Sequence, residues 1–422
     1  MKNLQKPFLT LLLICLLMPV FAARILIPMD NIQTNHLKAY GIAYWTLGSG
    51  IQIEWLLNYR GGSFVLPYQD IFEKECKLRN VSYEILADVQ YQKIIDEISR
   101  PDVNMEVVKL EKAPKIAVYS PKTKQPWDDA VTLVLKYAEI PYDVIYDDEV
   151  LENKLPLYDW LHLHHEDFTG QQGKFWFSQQ NQPWYQQEKR ENEELAKRWG
   201  YPKVSQLKLA VVKKIREFVG GGGYLFAMCS AADTYDIALA AEGVDICTAE
   251  FDGDPIDPKA QDKLSYNNCF AFKDFHLVTS AYIYAFSDID ATKDYPVNSE
   301  KTDYFTLFNF SAKWDVIPTI LTQDHERVIK GFMGQTTSFR DRFIKTNVLI
   351  LGETKSMENA RYIHGEFGRG MWTFLGGHDP EDYQHLVGDP PTDLSLFPNS
   401  PGYRLILNNV LFPAAKKKER KT

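Results

Sequence analysis

Cys229 is the side chain that the sequence best prepares for nucleophilic chemistry. An apolar predicted strand, residues 224–228, runs directly into it, and a predicted helix over residues 233–241 follows. A nucleophile at a sharp strand-to-helix turn needs small residues two positions away on either side, and Ala227 and Ala231 meet that need. The alternative is a small buried cysteine with a purely structural role.

The groups around this turn act on Cys229 in opposite directions. The N-terminus of the following helix favours a thiolate, and the backbone N–H of Ser230 would point toward a developing oxyanion. Asp233 and Asp236 lie in the first turn of that helix and work against thiolate formation, because like charges repel. The four glycines at 220–223 lack the Gly-Lys-Ser/Thr ending of a phosphate-binding loop, so we do not expect a nucleotide there.

A base for Cys229 is predicted near the C-terminus. Residues 371–375 form a predicted strand that ends in two glycines and His378. The carboxyl ends of parallel strands gather at one edge of a sheet, so we expect His378 close to Cys229. Either Asp379 or Glu381 would orient the imidazole and complete a Cys–His–carboxylate set. The alternative is a turn histidine that is hydrogen-bonded to the backbone.

A third polar group lies at the end of the predicted strand over residues 158–164. It combines imidazoles and carboxylates: His162, His164, His165, Glu166 and Asp167. Such a group could bind a divalent metal ion, as in a metal-dependent hydrolase. Its spacing matches no specific zinc motif, so lining of a substrate pocket is preferred, and no metal or cofactor is expected. The predicted substrate-binding residues are Ser230, His164, His165, Glu166, Thr169 and Gly170.

The elements that must position these side chains divide the chain into segments. We predict a signal peptide at 1–23, an N-terminal α/β unit at 24–112, a main domain at 113–246 that resumes at 347–415, an insertion at 247–346 and a basic tail at 416–422. The main domain has predicted strands at 115–119, 142–146, 158–164, 224–228, 348–351 and 371–375, helices at 128–138, 205–219 and 233–241, and a polar, Gln-rich stretch at 170–198. This alternation predicts an α/β fold with a doubly wound parallel sheet, and the turn-rich insertion is typical of an α+β region.

The N-terminus predicts export. Lys2 and Lys6 precede an almost unbroken apolar run at 8–20, and small residues follow where a signal peptidase would cleave. The run is short for a membrane span and no second one occurs, so we expect a soluble, periplasmic mature protein. A net charge of −9 disfavours a nucleic-acid surface. The expected partner is therefore a small molecule, a peptide or a glycan.

Four cysteines follow the predicted leader: Cys76, Cys229, Cys247 and Cys269. An even number in an oxidising compartment permits disulfides. Since Cys229 is assigned to chemistry, Cys247 and Cys269 are the pair we expect. So few cysteines mean that the fold does not depend on a disulfide framework.

The order of these elements resembles the class I glutamine amidotransferase superfamily. The resemblance rests on the glycine-rich strand into Cys229 and the late strand into His378, and it covers roughly residues 114–245 and 348–415. It implies a flavodoxin-like sheet and a Cys–His–Glu triad, in which Glu381 would be the carboxylate.

The chain departs from that superfamily at two points. Ala227 and Ala231 stand where the amidotransferase turn usually has glycines. His378 and Glu381 are three positions apart, whereas one residue separates the family's histidine and glutamate. Asp379 therefore competes with Glu381 for the third role.

Two narrower groups share further motifs. The chain is similar to the trehalose-utilisation amidotransferase-like family in Gly222-Gly223, Ala231-Ala232-Asp233-Thr234, Gly368-Arg369-Gly370 and Gly377-His378. As a whole, including Asp324-His325 and residues 398–404, it looks like exported Bacteroidota proteins that are labelled asparagine synthetase B. ATP-dependent asparagine synthesis needs an N-terminal catalytic cysteine and a Ser-Gly-Gly-x-Asp-Ser loop. Cleavage is expected to expose Ala23 or a neighbour, and the sequence contains no such loop.

The sequence therefore predicts a periplasmic, cysteine-dependent hydrolase or amidotransferase-like enzyme that acts on a C–N (amide) bond. The alternative is a non-catalytic module that binds a glycan or a peptide on the same fold. The position of the Cys229 sulfur relative to His378 distinguishes the two.

Overall fold

The computed structural model describes residues 23–121, 129–292, 303–331, 334–382 and 389–415. These residues form an α/β protein with two β-sheets, one of five strands and one of ten. Apart from Ala23, the predicted signal peptide lies outside the described residues, as does the predicted basic tail. Among the helices that are described, none combines the length and apolarity needed to cross a membrane.

The smaller sheet is built from the N-terminal segment and is antiparallel throughout, in the order β4-β1-β3-β2-β5. Its strands are β1 (Arg24–Ile27), β2 (Ile53–Leu57), β3 (Ser63–Pro67), β4 (Glu84–Leu86) and β5 (Glu106–Leu110). The larger sheet takes its strands from the rest of the chain: β6 (Ile116–Tyr119), β7 (Asp143–Ile145), β8 (Trp160–Leu163), β9 (Tyr224–Met228), β10 (Tyr304–Leu307), β11 (Val328–Lys330), β12 (Phe339–Arg340), β13 (Leu349–Thr354), β14 (Asn359–Phe367) and β15 (Gly370–Leu375).

The α-helices of the described residues range from one turn to almost five turns. They are α1 (His36–Gly48), α2 (Asp70–Leu78), α3 (Asp88–Ser99), α4 (Ala130–Tyr137), α5 (Asp147–Leu151), α6 (Trp176–Gln179), α7 (Pro183–Arg198), α8 (Val204–Gly220), α9 (Ser230–Ala240), α10 (Ala249–Asp252), α11 (Val316–Leu321) and α12 (Pro401–Leu411). The helix predicted over 128–138 is α4, which begins at Ala130, and Asp128 lies outside the described residues. Asp129 precedes α4 as its N-cap.

The centre of the larger sheet is parallel, in the order β7-β6-β8-β9-β15. Its middle strands β6, β8 and β9 are buried along their whole length, which explains their nearly continuous apolar sequences. Helices cover both faces: α4 and α12 pack beside Val118 and Phe226, and α8 and α9 pack beside Leu161 and Leu225. The carboxyl ends of β8, β9 and β15 consequently meet at one edge.

The two sheets share a hydrophobic core. Helix α1 contacts α4 and α12 of the main domain, and its Gly41 lies so close to the backbone carbonyl of Ala138 that a side chain would not fit. From α12, the buried Arg404 donates to the backbone oxygen of Met29, at 2.9 Å, and to the hydroxyl of Tyr40, at 3.2 Å. Close packing and a buried cation therefore hold the N-terminal sheet against the main domain.

An antiparallel extension lies beyond β15, in the order β14-β13-β10-β11, with β12 also paired to β14. Strand β14 was not predicted, because its sequence contains Arg361 and His364 at positions that prove to be buried. Arg361 is tolerated there through a buried ion pair with Asp303. Strands β10, β11 and β12 come from the segment predicted as an insertion, so this segment extends the main sheet.

Two further expectations need correction. The polar stretch at 170–198 contains α7, which begins at Pro183 and is one of the longest helices. It was not predicted, because the many charged residues that face water hide its apolar periodicity. The expected Cys247–Cys269 disulfide is wrong, because all four described cysteines are free. The thiol of Cys247 donates to the carbonyl of Thr169, at 3.4 Å, and that of Cys269 donates to the carbonyl of Asp236, at 3.3 Å.

Candidate functional site

Cys229 occupies a strained turn between β9 and α9. Its backbone has φ 51° and ψ −140°, a left-handed conformation that residues with a side chain rarely adopt. Helix α9 begins at Ser230, three residues earlier than the predicted start at Asp233. Cys229 is 3% exposed, and its S–H donates to the backbone carbonyl of Gln335, at 2.8 Å. The strained turn thus presents the thiol toward the 334–336 segment.

Gly334 lies next to both Cys229 and His378. A Cβ atom at Gly334 would lie 2.7 Å from the Cβ of His378 and 3.5 Å from the Sγ of Cys229. The glycine has φ 154°, and Gly377 next to His378 donates to the carbonyl of Thr336, at 3.0 Å. Cys229 and His378 therefore lie next to the same backbone segment, and His378 leaves no room for a side chain at Gly334.

The thiol of Cys229 is protonated at neutral pH. Burial raises its pKa to about 12, and this outweighs the opposing effect of the Ser230 backbone N–H, which faces the sulfur. Asp233 and Asp290 raise the pKa of Cys229 further. Attack by this sulfur therefore requires a base that removes the proton during the reaction.

Asp233 and Asp290 form an acidic pair next to Cys229. Burial raises the pKa of Asp233 well above its usual range, and the nearby Asp290 adds to that effect. Asp233 accepts a hydrogen bond from the hydroxyl of Thr336, at 3.0 Å, which links α9 to the segment over the thiol. Burial and the acidic neighbour therefore both disfavour the charged form of Asp233.

The histidines at the end of β8 converge on one carboxylate. Oδ1 of Asp129 lies 3.0 Å from Nδ1 of His164 and 3.4 Å from Nε2 of His162. Burial opposes the charge on Asp129, but the two imidazoles outweigh it and hold the pKa of Asp129 well below its usual range. Burial lowers the pKa of His162, whose other ring nitrogen lies 3.2 Å from the carbonyl of Phe226. His162 is therefore a structural histidine behind the site.

Three imidazoles meet between β8 and β15. The ring centroid of His378 lies 4.4 Å from that of His164 and 5.9 Å from that of His165. One ring nitrogen from each of the three lies within 4.8 Å of the others, which is a spacing compatible with a metal site. A second group with this property consists of Asp129, His162 and His164. Nε2 of His164 is buried and has no hydrogen-bond partner within the described part of the chain.

The remaining residues predicted around β8 build the loop that follows it. One oxygen of Glu166 accepts from the backbone N–H of His164, at 3.0 Å, and burial raises the pKa of Glu166 to about 8. Asp167 accepts from the N–H of Thr169, at 2.7 Å, and Gly170 packs against Ser205 with φ 82°. Glu166 and Asp167 thus shape this loop, and a cavity of about 40 Å³ lies beside it, lined in part by His165 and Gly170.

Asp379 and Glu381, the predicted partners of His378, contact other residues. Asp379 accepts from the hydroxyl of Thr392, at 2.8 Å, and from the backbone N–H of Glu381, at 2.9 Å. Glu381 lies 3.6 Å from Nζ of Lys330. Burial raises the pKa of Glu381 despite that cation. These contacts fix the loop after β15.

Aromatic side chains form a rim near the site. Phe175, Trp176, Phe177, Tyr282 and Tyr284 pack pairwise with ring centroids 5.4 to 5.5 Å apart. Phe177 is 61% exposed and Tyr282 60%. Burial of its hydroxyl group, with Cys229 nearby, raises the pKa of Tyr284. We call these five residues the aromatic rim.

A much larger cavity of the described residues lies elsewhere. It measures about 1590 Å³ and opens at the amino ends of β9 and β15, next to Gly223, Gly370 and the exposed Trp314. Sites in parallel sheets form at the carboxyl ends of the strands, so we place the candidate site at Cys229 and the histidines.

Two parts of this site were not found from the sequence. Asp129 directly precedes α4 and is distant in sequence from both of its histidine partners, and the helix predicted over 128–138 had included it. The sequence of the segment over residues 331–337 is compatible both with a hairpin and with a close approach to a ligand, so it does not indicate a contact with Cys229. Its two glycines at 331 and 334 were the available signal for a close backbone approach.

Comparisons with known proteins leave the family open. No protein-family profile matches the chain, and no curated protein does. Among solved structures, two cytoplasmic proteins of Salmonella typhimurium share 10% and 12% identity, with TM-scores of 0.34 and 0.36, over 72% of this chain and 100% of theirs. A β-galactosidase of Bacillus circulans sp. alkalophilus shares 10% identity with a TM-score of 0.25, over 64% of this chain and 29% of its own. Similarity at this level carries no argument about function.

Proposed function

We propose that this protein is an exported, cysteine-dependent hydrolase or amidotransferase-like enzyme that acts on a C–N (amide) bond. The observation that carries the proposal is the strained turn at Cys229, whose sulfur and the side chain of His378 both lie next to Gly334. Strain at a non-glycine residue persists only where the surrounding structure enforces it, and it is concentrated at functional sites.

We also propose that the fold belongs with the flavodoxin-like, class I amidotransferase-like sheets. The parallel strands have the spatial order β7-β6-β8-β9-β15, which is 2-1-3-4-5 in chain order. This is the flavodoxin-like order, and it supports the proposal. Cys229 follows the fourth of these strands and His378 the fifth, as the resemblance to class I amidotransferases implies.

In the proposed reaction, Sγ of Cys229 attacks the amide carbonyl while His378 accepts the thiol proton. The Ser230 N–H, which faces the sulfur, donates to the oxyanion of the tetrahedral intermediate. The C–N bond then breaks, His378 protonates the leaving amine, and a thioester remains on Cys229. Water attacks the thioester with His378 as base, which releases the acid and restores the thiol.

The experiment that tests this proposal measures ammonia or amine release by the purified mature protein. Substrates are glutamine, asparagine, peptide amides and N-acylated amino sugars. We expect Cys229→Ala and His378→Ala to abolish turnover while unfolding at the wild-type temperature, and Cys76→Ala, which removes a buried thiol in the N-terminal unit, to retain it. Undiminished turnover in Cys229→Ala would overturn the proposal.

The aromatic rim favours one second candidate, a non-catalytic module that binds a glycan or a peptide. Exposed aromatic rings stack on sugar rings and on apolar side chains, and Phe177 and Tyr282 are more than half exposed. For this candidate, Phe177→Ala should weaken binding of oligosaccharides or peptides in calorimetry, whereas Cys229→Ala should leave it unchanged. No product should form.

A further inference from the structure

We propose that His164, His165 and His378 bind a divalent transition-metal ion of the zinc class. One ring nitrogen from each lies within 4.8 Å of the others, and the three rings follow β8 and β15, the two strands that flank β9 in the sheet. Neutral imidazole suits Zn²⁺, Cu²⁺ and Ni²⁺, whereas Mg²⁺ and Ca²⁺ prefer oxygen ligands. The ligand set therefore selects the class of ion.

Asp129 supplies the outer shell that such a site needs. Histidine ligands usually face a carboxylate through the nitrogen that does not bind the metal, which fixes the ring and its tautomer. In His164, Nδ1 faces Asp129 at 3.0 Å, and Nε2 is the nitrogen left for an ion. Nε2 is buried without a hydrogen-bond partner in the described residues, and the whole side chain is 1% exposed.

This polar nitrogen is the second, independent observation for a ligand. A buried polar atom without a partner destabilises the folded state. A metal ion bound from solution would satisfy Nε2 of His164 and remove this cost. Oδ1 of Asp129 contacts the N-terminus of α4, His162 and His164. We therefore assign Asp129 the role of orienting the His164 ring, and the three imidazoles the role of ligands.

The metal has a consequence that rests on the proposed function. His378 is both a proposed ligand and the proposed base for Cys229. If the metal occupies the nitrogen that accepts the thiol proton, His378 cannot remove that proton from Cys229. Bound Zn²⁺ should therefore act as a reversible inhibitor of the hydrolase, and a chelator should restore turnover.

The metal-binding test uses the full mature protein after chelator treatment and desalting. Zn²⁺ binding is measured by calorimetry and by elemental analysis after dialysis, and Co²⁺ is used as a spectroscopic probe for nitrogen ligands. We expect one ion per chain, and affinity losses of about tenfold or more in His164→Ala, in His165→Ala and, through the outer shell, in Asp129→Asn. The matched control is His276→Ala, which removes an exposed histidine paired with Asp288 outside the cluster.

The outcomes separate the two proposals. Absence of binding by the wild-type protein, or unchanged affinity in His165→Ala, overturns the metal site whatever the activity. Should His164→Ala fail to fold, His165→Ala still decides the question. Cys229→Ala should bind Zn²⁺ with wild-type affinity, which excludes thiol capture of the metal. Binding without inhibition of turnover overturns the inhibitory role of the metal. Absence of turnover in the wild-type protein and in every variant overturns the proposed hydrolase and leaves the metal site to be decided by the binding data.

Discussion

Nδ1 of His164 lies 3.0 Å from the carboxylate of Asp129, and this pair connects the N-terminus of α4 to the end of β8. The same carboxylate oxygen accepts from the backbone N–H of Val131, at 2.7 Å. Asp129 thus serves a helix cap and a histidine together. The cap fixes where the carboxylate lies, and the carboxylate fixes the orientation of the ring.

Asp129→Ala should destabilise the protein strongly. The substitution removes the N-cap of α4 and leaves two buried imidazoles without their acceptor, and breaking such a buried pair costs roughly 3–5 kcal/mol. Asp129→Asn keeps a capping oxygen and should lose about half as much. Urea unfolding measures both, and equal losses in the two variants would contradict a separate contribution from the histidines.

Gly334→Ala tests whether the close approach of Gly334 to Cys229 and His378 is needed for activity. The new methyl group would lie 2.7 Å from the Cβ of His378, so the two side chains must move apart, at a cost of about 2–4 kcal/mol. We expect loss of turnover together with a lower unfolding temperature. Gly222→Ala is the matched control: Gly222 also has a left-handed backbone, with φ 118°, but has open space around it. It should cost about 1 kcal/mol and leave activity intact.

The Cys229 thiol should be unreactive toward iodoacetamide near pH 7 in the free protein. The thiolate is the reactive form, and burial raises the pKa of Cys229 to about 12. Labelling should accelerate roughly tenfold per pH unit above neutrality, as judged by mass spectrometry of the peptide. Cys76, whose pKa burial also raises to about 12, is an internal reference. Fast labelling of Cys229 at pH 7 would contradict the protonated resting state.

The local features of the site could be predicted from the sequence, and the long-range ones could not. The strand, the small residues and the helix around Cys229 are adjacent in the chain, so their pattern indicates the turn. The approach of Gly334 to His378 depends on how a distant segment folds over the sheet. Likewise, the predicted helix began at 128 and therefore included Asp129. The helix begins two residues later, at Ala130, so the role of Asp129 as its N-cap was not recognised.

The fold shows the same division. The parallel strands β6, β8 and β9 were predicted because strands buried on both faces have continuous apolar sequences. Strand β14 was missed because Arg361 and His364 interrupt its apolar pattern, although both are buried. Tertiary partners such as Asp303 make those residues compatible with the core, and no local pattern reveals such partners.

Asp236→Ala should loosen the segment that packs on α9. The carboxylate of Asp236 accepts three backbone N–H bonds from residues 270–272, at 2.6, 2.7 and 2.9 Å, and is fully buried. Loss of these bonds leaves buried donors unsatisfied, at a cost of about 3 kcal/mol. Hydrogen exchange should quicken at Ala271 and Phe272. The exposed Asp262, replaced in the same way, should change neither stability nor exchange.

His364 should make the stability of the protein fall in acid. Burial lowers the pKa of His364 from 6.5 to about 4, and its Nδ1 lies 3.1 Å from the hydroxyl of Thr373. The folded state therefore favours the neutral ring, whereas the unfolded chain takes up a proton below about pH 6.5. The contribution of His364 to the free energy of unfolding is complete above pH 6.5. It is lost progressively as the pH falls to about 4, by about 3 kcal/mol in total.

His364→Gln removes this titration. The free energy of unfolding of wild type and variant is measured in urea from pH 7.5 to 4. The difference between the two should shift in favour of the variant as the pH falls. A difference that stays constant over that range would show that His364 titrates alike in both states.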